Sequence, residues 1–127
     1  MAGEADLAFL LRSMEPVLHA DAYGYVVTDR AVPGAFAMIA GAEGGTVIAT
    51  RQVLAAARLV AAGDWARISL TVHSDLAAVG LTAAIAAALA RRGISANVVA
   101  GFYHDHVFVP WDRRDDAMVA LLDLTRA

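Results

Sequence analysis

The chain has 127 residues, of which 59% are hydrophobic and 18% charged, and its formal net charge is −3. This composition supplies enough apolar side chain for a domain core and excludes disorder, and the acidic balance argues against nucleic-acid binding, because phosphates are bound by clustered basic residues. Cysteine is absent, which excludes disulfides and thiolate metal ligands.

The first half of the chain is predicted to contain a helix, three short strands and a second helix. The apolar residues of “DLAFLLRSMEP” recur at the spacing of one helix face, with Asp6 as the N-cap. Strands are predicted for residues 22–28, 35–40 and 46–50, the last two forming a hairpin around “GAEGG”. Thr50 is predicted to cap a second helix, which Gly63 ends.

The second half has clearer periodicity. The alternation in “ARISLTV” predicts a strand that buries Ile68, Leu70 and Val72 on one face. The segment “VGLTAAIAAALARRG” predicts a helix that buries Leu81, Ile85 and Leu89, which recur at steps of four, with Gly93 in the left-handed position at its end. Residues 94–102 and 106–110 read as a strand and its return strand, and Asp112 is the predicted N-cap of a last helix.

This order of elements predicts the fold class. From Ala66 onward it runs strand, helix, strand, strand, helix, which is the ferredoxin-like βαββαβ arrangement without its final strand. The first half lacks the opening strand of the same arrangement. We therefore predict an α+β sandwich of two incomplete halves that share strands, with helices on one face of an antiparallel sheet. The halves are expected at residues 1–64 and 65–127.

Two histidines flank an aspartate in “HDH”, His104-Asp105-His106. On a strand, His104 and His106 would point to the same face and could both reach one ion. A metal site needs further ligands, and His19 and His73 do not lie at a recognised spacing. The alternation would also break if His104 lies in the turn between two strands. A hairpin or interface role is therefore preferred, and no metal site is predicted.

Catalytic motifs are missing from the sequence. It contains no Gly-x-Ser-x-Gly, no phosphate-binding loop, no Gly-x-Gly-x-x-Gly and no His-Glu-x-x-His. The chain is therefore not expected to be an enzyme, and no cofactor is expected. The N-terminus starts acidic with too short an apolar run for a signal peptide, and residues 77–90 are too short to span a membrane, so a cytoplasmic location is expected.

The loop before the alanine-rich helix, in “VHSDLAAVGLTAAI”, is a candidate ligand site. The first N–H groups of a helix carry partial positive charge and suit a carboxylate, and Gly80 would let a ligand approach the backbone. Ser95 and Asn97 lie two apart on the next strand and could face this loop from a second copy. The alternative is structural: Ser74 or Asp75 caps the helix, and Gly80 permits tight packing.

The segment “VHSDLAAVGLTAAIAAALARRGISANVVAGFYHDHVFVP”, with “LLRSMEPVLH” and “GAEGGTVIAT” before it, resembles the tandem ACT-domain proteins over nearly the whole chain. The resemblance implies a ferredoxin-like fold that pairs into larger assemblies and binds amino acids or other small molecules at interfaces. It places ligand contacts in the loop before the first helix and on the facing strand. In this sequence those positions are Ser74, Asp75, Leu76, Ala78, Val79, Gly80, Leu81, Ser95, Ala96, Asn97 and Val98.

The expected function is that of a regulatory module that binds a small metabolite, an amino acid in the first instance. A homodimer or higher homo-oligomer is expected, without nucleic acid and without membrane. Two alternatives stay open. The chain could be a structural module for protein–protein interaction, or a metal-binding protein that uses His104 and His106.

Overall fold

Four helices and six strands follow one another over residues 6–72 and 78–126, which are the residues that the computed structural model describes. The helices are α1 (Leu7–Ser13), α2 (Arg51–Ala56), α3 (Leu81–Ala90) and α4 (Arg114–Thr125), the last preceded by a 3₁₀ turn (Trp111–Arg113). The strands are β1 (Pro16–Val27), β2 (Ala37–Ile39), β3 (Thr46–Thr50), β4 (Trp65–Leu70), β5 (Asn97–Ala100) and β6 (Asp105–Pro110). Their hydrogen-bonded order is β2-β3-β1-β4-β6-β5, and the predicted α+β class is confirmed.

The chain divides into two compact units, and the first (unit 1) comprises the described residues up to His19 and from Ala66 onward. Its core lies where α1, α3 and α4 cover one face of the sheet. Alternate residues of β4 and β6 reach this core, as do the predicted positions of α3. The fully buried members include Leu10, Ile68, Leu70, Ile85, Leu89, Val107, Val109 and Leu121. Burying such side chains contributes roughly 1.5–3 kcal/mol each.

The second unit (unit 2) comprises Ala20–Trp65 and has its own smaller core. In it, β3 pairs antiparallel with β1, from Tyr23 opposite Thr50 to Val27 opposite Thr46, and with β2 on its other side. The predicted hairpin of β2 and β3 is thereby confirmed. The core consists of Val26, Val32, Val47, Ala49, Leu54 and Ala61. The predicted division at residues 64 and 65 stays a prediction.

Strand β1 is longer than predicted. It begins at Pro16 rather than residue 22, because segment 16–21 pairs within the fold despite weak strand propensity at Ala20 and Asp21. Just before this strand, the backbone carbonyl of Glu15 accepts hydrogen bonds from the backbone N–H of Thr71 (3.3 Å) and from the Thr71 hydroxyl (3.0 Å). Two strands of the C-terminal half are shorter than predicted, with β4 ending at Leu70 and β5 beginning at Asn97, whereas β6 begins one residue earlier than predicted, at Asp105.

Two helix caps agree with the prediction and two do not. Asp6 and Thr50 accept hydrogen bonds from the N–H groups of Phe9 (3.0 Å) and Val53 (3.2 Å). The prediction that Gly63 ends α2 is wrong: the helix ends at Ala57, and Arg58 takes the left-handed conformation (φ 58°) after it. The prediction for Asp112 is also wrong, because that residue lies inside the 3₁₀ turn and α4 starts after Arg113 without a side-chain cap.

Gly93 adopts a positive φ of 68°, as predicted for the residue that follows α3. No helix within the described residues is both long and apolar enough to cross a lipid bilayer.

Candidate functional site

The N-terminal end of α3 (the α3 entrance, residues 78–81) is the described part of the predicted ligand loop. Gly80 is the N-cap in the left-handed conformation (φ 101°) and offers no side-chain hydrogen bond. Val79, just before it, is 84% exposed, whereas Leu81 is buried and Ala78 packs against the unit 1 core. Ser74, Asp75 and Leu76 lie outside the described residues, as does His73.

Leu7 of α1 covers Gly80 on one side. A Cβ built on Gly80 would lie 2.9 Å from Cδ2 of Leu7, so the end of the Leu7 side chain would have to shift to admit it. Glycine is therefore favoured first by its positive φ and in addition by the close approach of Leu7. Tight packing against Leu7 therefore explains a glycine at position 80 without a ligand, which agrees with the structural alternative given for Gly80 in the sequence analysis. Ligand binding at the α3 entrance stays a prediction.

The predicted facing strand starts at the other end of α3. Ile94 N–H donates to the carbonyl of Leu89 (3.0 Å), so Ser95 follows the C-terminal end of the helix while Gly80 caps its N-terminal end. A helix of this length, Leu81–Ala90, spans about 15 Å. Ser95 is exposed, and Ala96 packs against the core. One bound molecule would need a second copy of the chain to touch both Gly80 and Ser95.

Asn97 and Val98 lie on opposite faces of β5. Asn97 is exposed and pairs with Phe108 of β6, and Val98 pairs with Val107 and packs against the core. Of these two residues, Asn97 is therefore the one that presents a polar group on the face of the sheet away from the helices. The sequence prediction that Ser95 and Asn97 share a strand face is not met, because β5 begins only at Asn97.

The “HDH” segment divides between a turn and a strand. His104 lies in the turn, where its carbonyl accepts a hydrogen bond from Gly101 N–H (2.9 Å), and β6 begins at Asp105. Asp105 is only 7% exposed, and burial raises the pKa of its carboxyl, an effect that His104 partly opposes. Within the described part of the chain, no three His, Asp or Glu side chains come together as metal ligands.

His106 belongs to a polar cluster that the sequence did not reveal (the histidine cluster: His19, Arg67, Ser69 and His106). Its members come from three strands that neighbour one another in unit 1, β1, β4 and β6. The Ser69 hydroxyl lies 2.7 Å from Nε2 of His19 and 2.9 Å from Nδ1 of His106. Arg67 Nε lies 3.4 Å from the same Nδ1. The alternation in “ARISLTV” was the one sequence feature that pointed to this cluster, because it predicts Arg67 and Ser69 on the solvent-facing side of β4.

The hydrogen bonds of the histidine cluster fix its protonation. Because Arg67 donates to Nδ1 of His106, that nitrogen is an acceptor and the Ser69 hydroxyl must donate to it. Ser69 then accepts from His19 Nε2–H. Burial, followed by the charges of Arg67, His19 and His104, lowers the pKa of His106 to about 4. A neutral His106 is a weak base, so the cluster is better suited to joining strands than to activating Ser69 as a nucleophile.

Comparison with protein families gives two matches. One ACT-domain family model matches residues 60–123, and another matches residues 2–66. The comparison with curated proteins gives no match.

Solved structures with the same fold include a Vibrio cholerae protein of unknown function, described as a possible transport protein. It is 40% identical to this chain over 94% of this chain and 95% of its own, with a TM-score of 0.82. The ligand-free regulatory subunit of aspartate kinase from Thermus thermophilus is 14% identical, over 88% of this chain and 97% of that one, with a TM-score of 0.64. A protein from Agobacterium tumefaciens is 16% identical, with a TM-score of 0.69 over 88% and 89% of the two chains. The last two show a shared fold alone.

Proposed function

Because the chain belongs to the ACT-domain family, with one match in each half, we propose that it is a regulatory module that binds a small metabolite and has no catalytic activity of its own. The proposed ligand is an amino acid, which is a ligand class that membership of this family implies. The observation that carries the proposal is the pair of family matches, which together span residues 2–123.

The geometry of the α3 entrance supports a carboxylate-bearing ligand. The first hydrogen bond of the helix runs from Ala84 N–H to the Gly80 carbonyl (2.9 Å), so the N–H groups of residues 81–83 have no acceptor within the helix. These groups carry partial positive charge and suit an anion. Exposed Val79 leaves this end open to solvent on the side that Leu7 does not cover. Asp75 is the proposed partner of the ligand's ammonium group.

We propose that the remaining contacts come from a second copy of the chain. Ser95 and Asn97 follow the far end of α3, so they are exposed donors and acceptors that a neighbouring copy could present. The active form would then be a homodimer or a larger homo-oligomer. Ligand binding and assembly should strengthen each other, because the ligand would contact the α3 entrance of one copy and Ser95 and Asn97 of the other.

A thermal-unfolding panel of the twenty amino acids tests the proposal. A ligand at 100 times its dissociation constant stabilises the folded state by ~2.7 kcal/mol, which raises the midpoint by about 8–16 °C for a domain of this size. The informative variant is Val79→Glu, whose carboxylate would repel an anionic ligand at the α3 entrance. The negative charge of a glutamate next to a helix N-terminus also interacts favourably with the helix dipole, so the variant should remain folded.

The matched control is Val60→Glu, because Val60 is 94% exposed and lies in unit 2. The proposal requires a midpoint increase that Val79→Glu abolishes and Val60→Glu retains. If no amino acid at millimolar concentration moves the midpoint, amino-acid binding is wrong. If the two variants respond equally, the α3 entrance is the wrong site.

An exposed aromatic pair favours a second function, that of a structural protein–protein interaction module. Phe102 and Tyr103, in the turn between β5 and β6, are 61% and 47% exposed, and their rings meet edge to face at 4.8 Å. Aromatic side chains are enriched at protein interfaces. Light scattering of Phe102→Ser/Tyr103→Ser tests this role: an assembly that dissociates in this variant, together with no response to amino acids, would favour the structural function.

A further inference from the structure

A cavity of about 320 Å³ (the hairpin cavity) lies in unit 2. It is lined by residues 38–41 with Thr28, Asp29 and Gly45, and therefore by the end of β1 and the turn between β2 and β3. It shares no residue with the α3 entrance or with the histidine cluster.

Hydrogen bonds hold the walls of the hairpin cavity in place. Thr28 N–H donates to the Gly45 carbonyl (2.8 Å), and Gly45 N–H donates to Oδ1 of Asp29 (3.2 Å). A Cβ on Gly45 would lie 2.8 Å from the carbonyl oxygen of Thr28, so only glycine permits this approach. The glycine-rich segment thus brings a carboxylate and the hairpin turn together at one opening.

Asp29 gives the hairpin cavity a negative charge. Among the described residues, it is the one charged group that lines the cavity, and it takes part in no ion pair. The neighbouring Arg30 directs its guanidinium elsewhere, to the carbonyl of Ala57 (3.0 Å). A cation at the cavity would therefore meet an attractive carboxylate that no basic side chain neutralises.

Apolar residues of β2 also line the cavity. Met38 and Ile39 are 49% and 52% exposed, and because they are consecutive on β2, only one of them can present its side chain to the cavity. Covering such side chains is favourable in proportion to the area removed from water. A cavity of this volume is at the lower end of the range for small-molecule sites and suits a molecule of a few carbon atoms.

We propose that the hairpin cavity binds a small aliphatic ammonium ion, with the nitrogen at the Asp29 carboxylate and the hydrocarbon part against the apolar end of β2. This site does not depend on amino-acid binding at the α3 entrance. Its ligand class differs, since Asp29 selects a cation whereas the helix N-terminus selects an anion.

Amide NMR shifts of the full-length chain test the proposal with three probes of equal chain length: n-butylammonium, n-butanol and butyrate. We expect n-butylammonium alone to shift the N–H signals of Gly41, Gly44 and Gly45 in a saturable way. Asp29→Asn should weaken binding at least tenfold, because it removes the charge. Its amide oxygen can still accept from Gly45 N–H, so the turn should persist. Asp21→Asn, an exposed site on β1 outside the cavity, should bind like the wild type.

Three results would overturn the proposal: equal shifts with n-butanol, undiminished binding by Asp29→Asn, or no saturable shift of the three glycines. These outcomes are separate from those of the amino-acid panel, because a ligand at the α3 entrance would shift the N–H signals of Val79 and Leu81 instead.

Discussion

The hydroxyl of Ser69 lies 2.9 Å from Nδ1 of His106, so one side chain of β4 is joined to one of β6. The same hydroxyl lies 2.7 Å from Nε2 of His19 on β1. Three strands of unit 1 are therefore linked through a single oxygen on the face of the sheet that the helices leave uncovered. The strength of this link and its dependence on pH can both be measured.

Ser69→Ala should lower the free energy of unfolding by about 1–3 kcal/mol, because it removes the two hydrogen bonds that the hydroxyl makes to the half-buried rings of His19 and His106. Urea unfolding at pH 7 measures the loss. Ser95→Ala is the control, since Ser95 is exposed and such substitutions usually change stability by less than about 0.5 kcal/mol. Equal losses in the two variants would mean that the link contributes nothing.

Acidification should destabilise the fold through His106. Its pKa falls from 6.5 to about 4 on folding, so between these values the unfolded chain binds more protons than the folded chain. Above pH 6.5, where His106 is neutral in both states, it causes no loss of unfolding free energy. The unfolding free energy then falls as the pH is lowered towards 4. At ~1.4 kcal/mol per pKa unit, the full shift corresponds to about 3 kcal/mol, and solvent screening of the half-buried ring reduces the expected loss to roughly 1–2 kcal/mol.

His106→Gln isolates this contribution, because the other titratable groups, including Asp105 with its raised pKa, are the same in both proteins. The difference in unfolding free energy between wild type and His106→Gln should shrink as the pH is lowered from 7 to 4. A constant difference over this range would show that His106 titrates alike in the folded and unfolded chains.

Gly80→Ala should destabilise unit 1 more than Gly93→Ala. Both residues have positive φ, 101° and 68°, but only the Cβ at position 80 would meet a neighbour, Leu7. We expect a loss of roughly 1 kcal/mol at position 93 from backbone strain, and a larger loss at position 80. Thermal unfolding measures both. Leu7→Ala should reduce the effect of Gly80→Ala, and an unchanged effect would exclude the Leu7 contact as its cause.

Thr50→Ala should cost about 1 kcal/mol, because the Thr50 hydroxyl caps α2 through Val53 N–H. Thr50→Ser should restore most of the loss. Asp112→Ala is the matched control: α4 begins without a side-chain cap, so no capping bond is lost there. Chemical denaturation of the three variants compares them. A larger loss at Asp112 than at Thr50 would contradict the assigned caps.

Local chemistry made much of the fold predictable. Alternation placed Ile68 and Leu70 in the core, and the four-residue steps from Leu81 to Leu89 identified the buried face of α3. The missed part of β1 forms because of pairing with distant segments, which propensity at Ala20 and Asp21 does not report. Arg58 shows the same limit, since a non-glycine residue in the left-handed region is rarely predictable.

The candidate sites were predictable in type more than in place. Gly80 was identified as the start of α3, but Leu7, which comes from a different helix, decides what lies beside it. The histidine cluster needs the register of three strands, so His19 and Ser69, 50 residues apart, could not be matched from spacing alone. Asp29 carried no recognisable motif, because its surroundings arise only when the hairpin turn closes on β1.

Unit 1 is discontinuous along the chain, and this has a consequence for synthesis on the ribosome. Helix α1 emerges first, yet Leu10 is buried against residues such as Ile85 and Leu121, which are made only after residues 20–65. A helix of seven residues is too short to persist alone in water. Helix α1 therefore docks late, through contacts between residues that are distant in sequence. A nascent chain truncated before α4 should accordingly leave α1 accessible to protease.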